Sequence, residues 1–194
     1  MGLFRALKPR SFKSPGSIRH KGKRLTEILA AHALFTRGAD GGVRADLSGA
    51  TLIRADFGTT NLAYANLKGA NLAGANFRDA RLGSADFSHA NLRRADFRRA
   101  DLTEASLEAA DLTETQLGGA ELFRANLRGA ILRGADLGAT NFRAADVRGA
   151  DFAGANMTTA ILRETNLDGV DLSGADLSTA LLPRGYKASH ASKG

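Results

Sequence analysis

The chain has 194 residues, with 27 lysines and arginines against 20 aspartates and glutamates, a formal net charge of +7, and no cysteine. The lack of cysteine excludes disulfide scaffolds and thiolate metal sites. Its apolar runs are shorter than the ~20 residues of a membrane-spanning helix. We therefore expect a cytoplasmic protein.

Residues 1–24 form a basic segment without a single acid. Its bases are Arg5, Lys8, Arg10, Lys13, Arg19, Lys21, Lys23 and Arg24. Low apolar content and unbalanced charge predict a disordered tail, which we expect to contact polyanions weakly, either nucleic acid or an anionic membrane. The segment lacks the apolar core of a secretory signal, and an organellar transit peptide is the less favoured alternative.

Residues 25–35, with the sequence LTEILAAHALF, have the apolar spacing of a helix. Leu25, Ile28, Leu29 and Phe35 recur near the helical period, and Gly38 follows shortly after them. Such a pattern predicts a helix that ends near the glycine. A glycine-rich linker then leads to residue 44.

A five-residue pattern, small-polar-large-x-x, runs without interruption over the 135 residues from 45 to 179, which makes 27 units. Ala fills the first position in 22 units, Leu or Phe the third position in 25, and Asp or Asn the second position in 20. A period of five fits neither a helix nor a flat strand. Because one unit is too short to bury its own apolar side chains, the pattern predicts stacked repeats.

The positions of each unit have predictable roles. The first and third positions point inward if each unit contains a short extended segment, and the other three face solvent. The Asp and Asn residues are expected to bond to nearby backbone amides, and the ten glycines at fifth positions suit corners with unusual backbone angles.

The segments ADLSGATLIRADF and ANLKGANLAGANF resemble the pentapeptide-repeat family, and the resemblance covers residues 45–179. It implies an all-β fold, a right-handed quadrilateral β-helix with four units per coil. Outward charges a coil of 20 residues apart support this weakly, with five opposite-charge pairs and three like-charge pairs. The opposite pairs are Asp79/Arg99, Arg94/Glu114, Glu104/Arg124, Glu108/Arg128 and Arg148/Asp168. Phe57, Phe77 and Phe97, also 20 apart, are predicted to stack inside.

The two open edges of a β-helix would promote aggregation unless they were covered. We predict that residues 25–44 supply a capping helix and linker, that the repeat domain extends over residues 45–183, and that residues 184–194 form a frayed tail. Pro183, which lacks a backbone donor, suits the end of a ladder.

The sequence contains no recognisable catalytic, phosphate-binding or metal-binding motif, and its four histidines show no ligand spacing. We therefore expect no enzyme activity, cofactor or metal. One outward feature exceeds the repeat, a cluster of arginines formed by Arg78, Arg93, Arg94, Arg98 and Arg99. It is either paired with the six acids of residues 101–121 or a docking patch for an acidic protein or a phosphate backbone.

Three functions remain open. The first is a non-catalytic scaffold that binds an unidentified protein partner. The second follows from the resemblance, since some members mimic DNA, bind gyrase or topoisomerase IV and modulate quinolone action; the 14 bases of residues 45–183 disfavour it. The third is a binder of nucleic acid or anionic membrane through the basic tail, although no aromatic residues interleave with bases to support base stacking. The oligomeric state stays open.

Overall fold

A computed structural model describes residues 11–186 of the chain. It begins with a 3₁₀ helix at Pro15–Ser17, the strands β1 (Arg19–His20) and β2 (Lys23–Arg24), and the helix α1 (Leu25–Phe35). From residue 45 onward, the described chain alternates single-residue β-bridges with turns. The repeat region is therefore a solenoid of short extended segments.

Parallel bridges between residues 20 apart hold the solenoid together, as between Asp46 and Asn66 and between Asn66 and Asp86. The amide of Leu47 donates to the carbonyl of Asn66 at 2.7 Å, and the amide of Asn66 donates to the carbonyl of Ala45 at 2.9 Å. Since one unit has five residues, four units complete a coil. Units 20 residues apart form four columns, which we call stacks 1 to 4; they begin with units 45–49, 50–54, 55–59 and 60–64.

The interior is filled by the first and third positions of the units, as the pattern predicts. Ala95 and Leu102, for example, are fully buried. Three of the threonines that replace Ala are buried as well, and their hydroxyls are satisfied, since Thr115 donates to the carbonyl of Leu112 at 2.6 Å and Thr165 to that of Phe142 at 2.7 Å. The core is thus continuous from the first coil to the last.

Phenylalanines fill much of the interior of the first three coils. The rings of Phe57, Phe77 and Phe97 stack at centroid distances of 4.7 and 4.8 Å, which confirms the predicted column. Phe87 reaches this column edge-on from the opposite stack, 5.7 Å from Phe77 and 5.9 Å from Phe97. Residues ten positions apart therefore meet across the coil, as expected when opposite sides are two units apart.

Each corner combines a side-chain acceptor with a left-handed backbone. The Oδ1 atom of Asn76 accepts from the amide of Arg78 at 3.0 Å, and Asp96 does the same for Arg98 at 3.1 Å. The fifth position has a positive φ in nearly every unit, even where it is Arg94 (φ 59°). Glycine is thus favoured there but not required, which explains why only ten units carry it.

Residues 11–44 form a cap on the first coil. Lys13 extends stack 3 by one segment, since its amide donates to the carbonyl of Arg54 at 2.7 Å and its carbonyl accepts from the amide of Asp56 at 3.0 Å. Leu25 is fully buried at the end of the core. The Nδ1 atom of buried His32 accepts from the amide of Ala45 at 3.0 Å, which ties α1 to the first repeat.

The expectation of a disordered tail is therefore corrected for residues 11–24, which are part of the cap. The strands β1 and β2 form a hairpin whose turn residues Lys21 and Gly22 both have positive φ, as two-residue hairpins prefer. Ile18 is buried and accepts a hydrogen bond from the amide of Leu25 at 2.8 Å. Composition predicts disorder only when no edge is available to pair with, and here the first coil offers one. Residues 1–10 lie outside the described chain.

The last coil is more exposed than the others. Leu181, which forms the final described bridge with Ile161, is 45% exposed. Tyr186 packs, partly buried, against the core, and its amide donates to the carbonyl of Pro183 at 3.2 Å. The prediction of a frayed tail is therefore corrected for residues 184–186, and residues 187–194 lie outside the described chain.

We expect Ala95→Leu to lower the free energy of unfolding by at least ~1 kcal/mol, because overpacking a filled core costs about 1 to 3 kcal/mol. Urea unfolding measures it. The control is Arg93→Leu in the neighbouring unit, where the side chain is 45% exposed. Equal loss of stability in the two variants would contradict the inward position of Ala95.

We also expect the free energy of unfolding to decrease as the pH falls, because His32 becomes protonated. Burial lowers the pKa of His32 from its ordinary 6.5, and the positive charge of Arg44 adds to this effect. The unfolded chain therefore takes up the proton first, so the stability that neutral His32 contributes is complete above pH 6.5 and is lost below it. Protonated Nδ1 could no longer accept from Ala45. Thermal unfolding between about pH 7.5 and about pH 5.5 measures this loss.

The variant His32→Asn keeps an acceptor at the position of Nδ1 but does not titrate. It should show a smaller pH dependence than the wild type, and the matched control is His89→Asn, which replaces an exposed histidine on the third coil. His20, whose pKa is also lowered by burial, accounts for a residual dependence. An unchanged slope in His32→Asn would exclude His32 as its source.

Candidate functional site

The five predicted arginines lie together on the second and third coils. Arg78, Arg98 and Arg99 belong to stack 3, and Arg93 and Arg94 to the adjoining stack 2. All five occupy the fourth or fifth positions of their units, so their side chains point outward and are 42 to 57% exposed. The 20-residue coil is what places Arg78 directly over Arg98.

Every arginine of this cluster has a carboxylate partner. Arg99 binds Asp79 with two hydrogen bonds of 2.7 Å, and Arg94 Nε donates to Glu114 at 2.5 Å. Arg98 forms a two-point contact with Asp96 of its own unit, at 2.8 and 2.5 Å. The remaining contacts are Arg93 with Asp111 at 3.1 Å and Arg78 with Asp79 at 3.8 Å.

These contacts lower the pKa values of the carboxylates. The hydrogen bonds from Arg99 lower the pKa of Asp79, and those from Arg94 lower the pKa of Glu114. Burial raises the pKa of Asp96, but the hydrogen bonds and the charge of Arg98 together lower it by more, so the net shift of the pKa is downward. All these acids are thus ionised at neutral pH, and the cluster is close to neutral as a whole.

Three of the five predicted inter-coil pairs form in the described chain. Two are the Arg99–Asp79 and Arg94–Glu114 pairs, and the third is Arg124 with Glu104 at 3.8 Å. The other two predictions are wrong. Glu108 accepts from Asn126 Nδ2 at 3.3 Å instead of pairing with Arg128. Arg148 forms an ion pair with Asp146 of its own unit and not with Asp168. Residue spacing fixes which coils are neighbours but not which rotamer a long side chain adopts.

The described bases of the N-terminal segment lie on the cap. Lys21 Nζ contacts Asp46 of the first coil at 2.5 Å and holds the pKa of that carboxyl well below its ordinary value. The amide of Arg24 donates to Glu27 at 3.2 Å at the start of α1. Lys13, Arg19 and Lys23 complete this set, whereas the predicted residues Arg5, Lys8 and Arg10 lie outside the described chain.

The structure also brings together an aromatic and basic group that sequence reasoning missed. In stack 4, the Cζ atom of Arg124 lies 4.9 Å from the ring centroid of Phe123, and that of Arg143 lies 6.0 Å away. Phe123 and Arg143 occupy the same position one coil apart, so the 20-residue spacing was the available signal. The expectation that no aromatic side chain interleaves with bases is corrected here.

No helix within residues 11–186 has the length and apolar character that crossing a bilayer would demand. The same residues hold no group of three or more potential metal-ligating side chains.

A double-mutant cycle on Arg94 and Glu114 should show a small favourable coupling in urea unfolding that fades with added salt, because the pair is exposed. The cycle on Glu108 and Arg128, which have the same spacing but no contact, serves as the matched control and should show none. Coupling of equal size in both cycles would mean that spacing alone, and not the observed hydrogen bond, sets the interaction.

Comparisons with known proteins agree with the solenoid. The family model for pentapeptide repeats matches the chain in eight copies over residues 43–79, 80–119, 120–158 and 140–178. A trypsin-treated variant of QnrB1, a plasmid-mediated fluoroquinolone resistance protein, is similar in structure with a TM-score of 0.68 and 22% identity, over 72% of this chain and 70% of that one. At this identity the likeness concerns the fold alone.

Cyanobacterial structures are also similar to the chain. HetL of Nostoc sp. strain PCC 7120, a pentapeptide repeat protein involved in heterocyst differentiation regulation, is 33% identical over 74% of this chain and 75% of its own, with a TM-score of 0.32. Rfr23 of Cyanothece 51142 is 29% identical over 63% and 90%, with a TM-score of 0.38. No curated protein matches the chain. Because the family model covers well over half of the sequence, the chain belongs to the pentapeptide-repeat family.

Proposed function

We propose that this protein is a non-catalytic cytoplasmic scaffold, a right-handed quadrilateral β-helix whose outward side chains bind a protein partner. The observation that carries the proposal is the continuous core, buried from the cap to the last coils, with each coil hydrogen-bonded to the next. Such a framework holds its surface side chains in fixed register, so little conformational entropy is lost when a partner binds.

The arginine cluster is the surface that we propose for this contact. Arg78, Arg93, Arg94, Arg98 and Arg99 are half exposed and already held by their carboxylates. A partner would therefore meet ordered guanidinium groups at a nearly neutral surface. Since arginine is enriched at the energetic centres of interfaces, such a surface suits a partner with a few matched acids better than a highly charged one.

One charge reversal on each stack tests the scaffold and locates its contact. The four variants are Arg128→Glu, Arg94→Glu, Arg98→Glu and Arg163→Glu, for stacks 1 to 4 in turn. We expect affinity capture from the cells that produce the protein to recover a partner. Arg94→Glu and Arg98→Glu should lose it, while the other two serve as matched controls with unchanged melting temperatures.

Two outcomes would contradict this proposal. Capture of the same partner by all four variants would exclude a contact through these surfaces, and loss in Arg128→Glu or Arg163→Glu alone would move the contact away from the arginine cluster. Complete absence of a partner under conditions that preserve the fold would count against the scaffold itself.

The DNA-mimic function, which the family resemblance suggests, is the second candidate. QnrB1, whose fold is similar, is described as a fluoroquinolone resistance protein. Against it, residues 45–183 carry 14 bases among 18 acids, so their negative potential is interrupted. Like-charge contact with a DNA-binding surface costs affinity. We therefore expect gyrase inhibition to be absent or weak.

Supercoiling by purified gyrase with increasing amounts of the protein, with and without a quinolone, measures this expectation. Potent inhibition or clear protection from the quinolone would favour the mimic over the scaffold. In that case, substituting the five arginines of the cluster by Gln should strengthen the effect, because it removes the interrupting positive charge.

A third candidate is weak binding of polyanions or anionic membranes by the N-terminal bases. Residues 11–44 carry seven bases and two acids, while residues 45–183 have a net charge of −4. This separation would direct the cap rather than the side of the solenoid toward an anionic surface, with an affinity that decreases as salt screens the charges.

A further inference from the structure

A half-enclosed cavity of about 190 Å³ lies where the cap meets the first coil. The hairpin contributes His20, Lys21 and Lys23 to its walls, and the linker contributes Arg44. Because segments far apart in sequence build the cavity together, its shape depends on the docked cap. It is independent of the scaffold surface proposed above, which lies on the second and third coils.

The floor of the cavity is apolar. Ile28 and Ala31 of α1 and Val43 of the linker line it. Val43 is 60% exposed, although the backbone around it is ordered through the hydrogen bond from its amide to the carbonyl of Ala31 at 3.1 Å. An apolar surface held open in this way gains from contact with a hydrocarbon group.

The two carboxylates at the cavity are already engaged. Asp46 accepts from Lys21 at 2.5 Å and from the amide of Ser48 at 3.2 Å. Glu27 accepts from the amide of Arg24 at 3.2 Å. Lys21 therefore compensates the charge of Asp46, while a backbone amide holds the carboxylate of Glu27 in place.

The bases at the rim are not all engaged. Within residues 11–186, Lys23 and Arg44 form no ion pair, and the buried Nε2 atom of His20 has no hydrogen-bond partner. Positive charge and an unused imidazole nitrogen thus surround an apolar floor. A ligand with an anionic head and an apolar body would pair its head with the positive charge at the rim and cover the apolar floor with its body.

We propose that this cavity binds the head and first carbons of an anionic amphiphile, a carboxylate or phosphate monoester carried on an apolar chain. The head would lie between Lys23 and Arg44, and the chain would cover Ile28 and Val43. Such a ligand would bridge hairpin, helix and first coil, so its binding would also stabilise the docked cap.

The ligand could be a free amphiphile or a lipid in a membrane. Besides Val43, the cap exposes Phe12 (44%), Leu34 (38%) and Phe35 (37%). Basic and exposed apolar side chains on one part of a protein are the combination that anionic bilayers attract. The test therefore includes both sources.

The first experiment titrates the full-length protein with hexanoate, hexanol and acetate and follows backbone amide shifts by NMR. We expect hexanoate to bind at least about tenfold more tightly than hexanol, which lacks the charge, or acetate, which lacks the chain. The shifts should centre on His20, Ile28 and Val43. Equal affinity for hexanol, equal affinity for acetate, or no shifts at these residues would overturn the proposal.

The second experiment uses the double variant Lys23→Gln/Arg44→Gln, with Lys68→Gln on the first stack as the matched control. The double variant should bind hexanoate about tenfold more weakly, whereas Lys68→Gln should bind as the wild type does. Both variants should keep the wild-type melting temperature at about pH 7.5, because none of these three side chains forms a hydrogen bond or an ion pair within the described chain and His32 is neutral there. Undiminished hexanoate binding by the double variant would overturn the assignment of the head site.

Sedimentation with phosphatidylcholine vesicles, with and without phosphatidylglycerol, distinguishes the two sources. If the ligand is a membrane lipid, the wild type should bind only the anionic vesicles and the double variant should lose that binding. If wild type and double variant bind vesicles equally while hexanoate binding differs, the cavity serves a free amphiphile.

Discussion

The hydrogen bonds between coils 20 residues apart are the constraint on which the rest of this molecule depends. Each coil donates to the next from the amides of its third positions and accepts from it at the carbonyls of its first positions. Leu47, for example, donates to the carbonyl of Asn66, whose own amide donates to the carbonyl of Ala45. The path of the chain is then fixed, and with it the width of the interior. A narrow interior admits one small and one large side chain per unit, which is why Ala and Leu dominate and why Phe87 can reach Phe77 from the opposite side.

The same register determines the electrostatics of the surface. Outward side chains of successive coils lie over one another, so a charge always has neighbours within reach of a long side chain. Arg94 finds Glu114 one coil below, and Arg98 finds Asp96 in its own unit. Clustered arginines are consequently not a free positive patch, because acids of the same unit and of the adjacent coils are brought directly beside them. Such pairs adjust local charge more than they stabilise the fold.

The sequence was sufficient to predict the parts of the fold that local residue spacing determines. The five-residue pattern, the buried positions, the phenylalanine column and the helix at residues 25–35 could all be predicted, since each follows from local spacing. The pairing of the N-terminal segment with the open edge of the first coil could not be predicted. Lys13 joins stack 3 through a bridge to Ala55, a contact over 42 positions that no local pattern encodes. For the candidate site, the neighbours of each arginine could be anticipated but not their final partners, as Arg148 and Asp146 illustrate.

The N-terminal cap lies outside the five-residue repeat, so its side chains are not bound to the roles that the repeat assigns to each position. Along the coils, every inward position is committed to packing, and the second positions are largely committed to corners and ladders. In the cap, Val43 stays exposed and Arg44 stays unpaired within the described chain. His32 is a buried titratable group that accepts a hydrogen bond from the amide of Ala45. The cap thus combines the protection of an open edge with a surface that differs in charge from the solenoid. At this end the segments that cover the open edge also line the proposed binding cavity, whereas along the coils packing and surface are separated position by position.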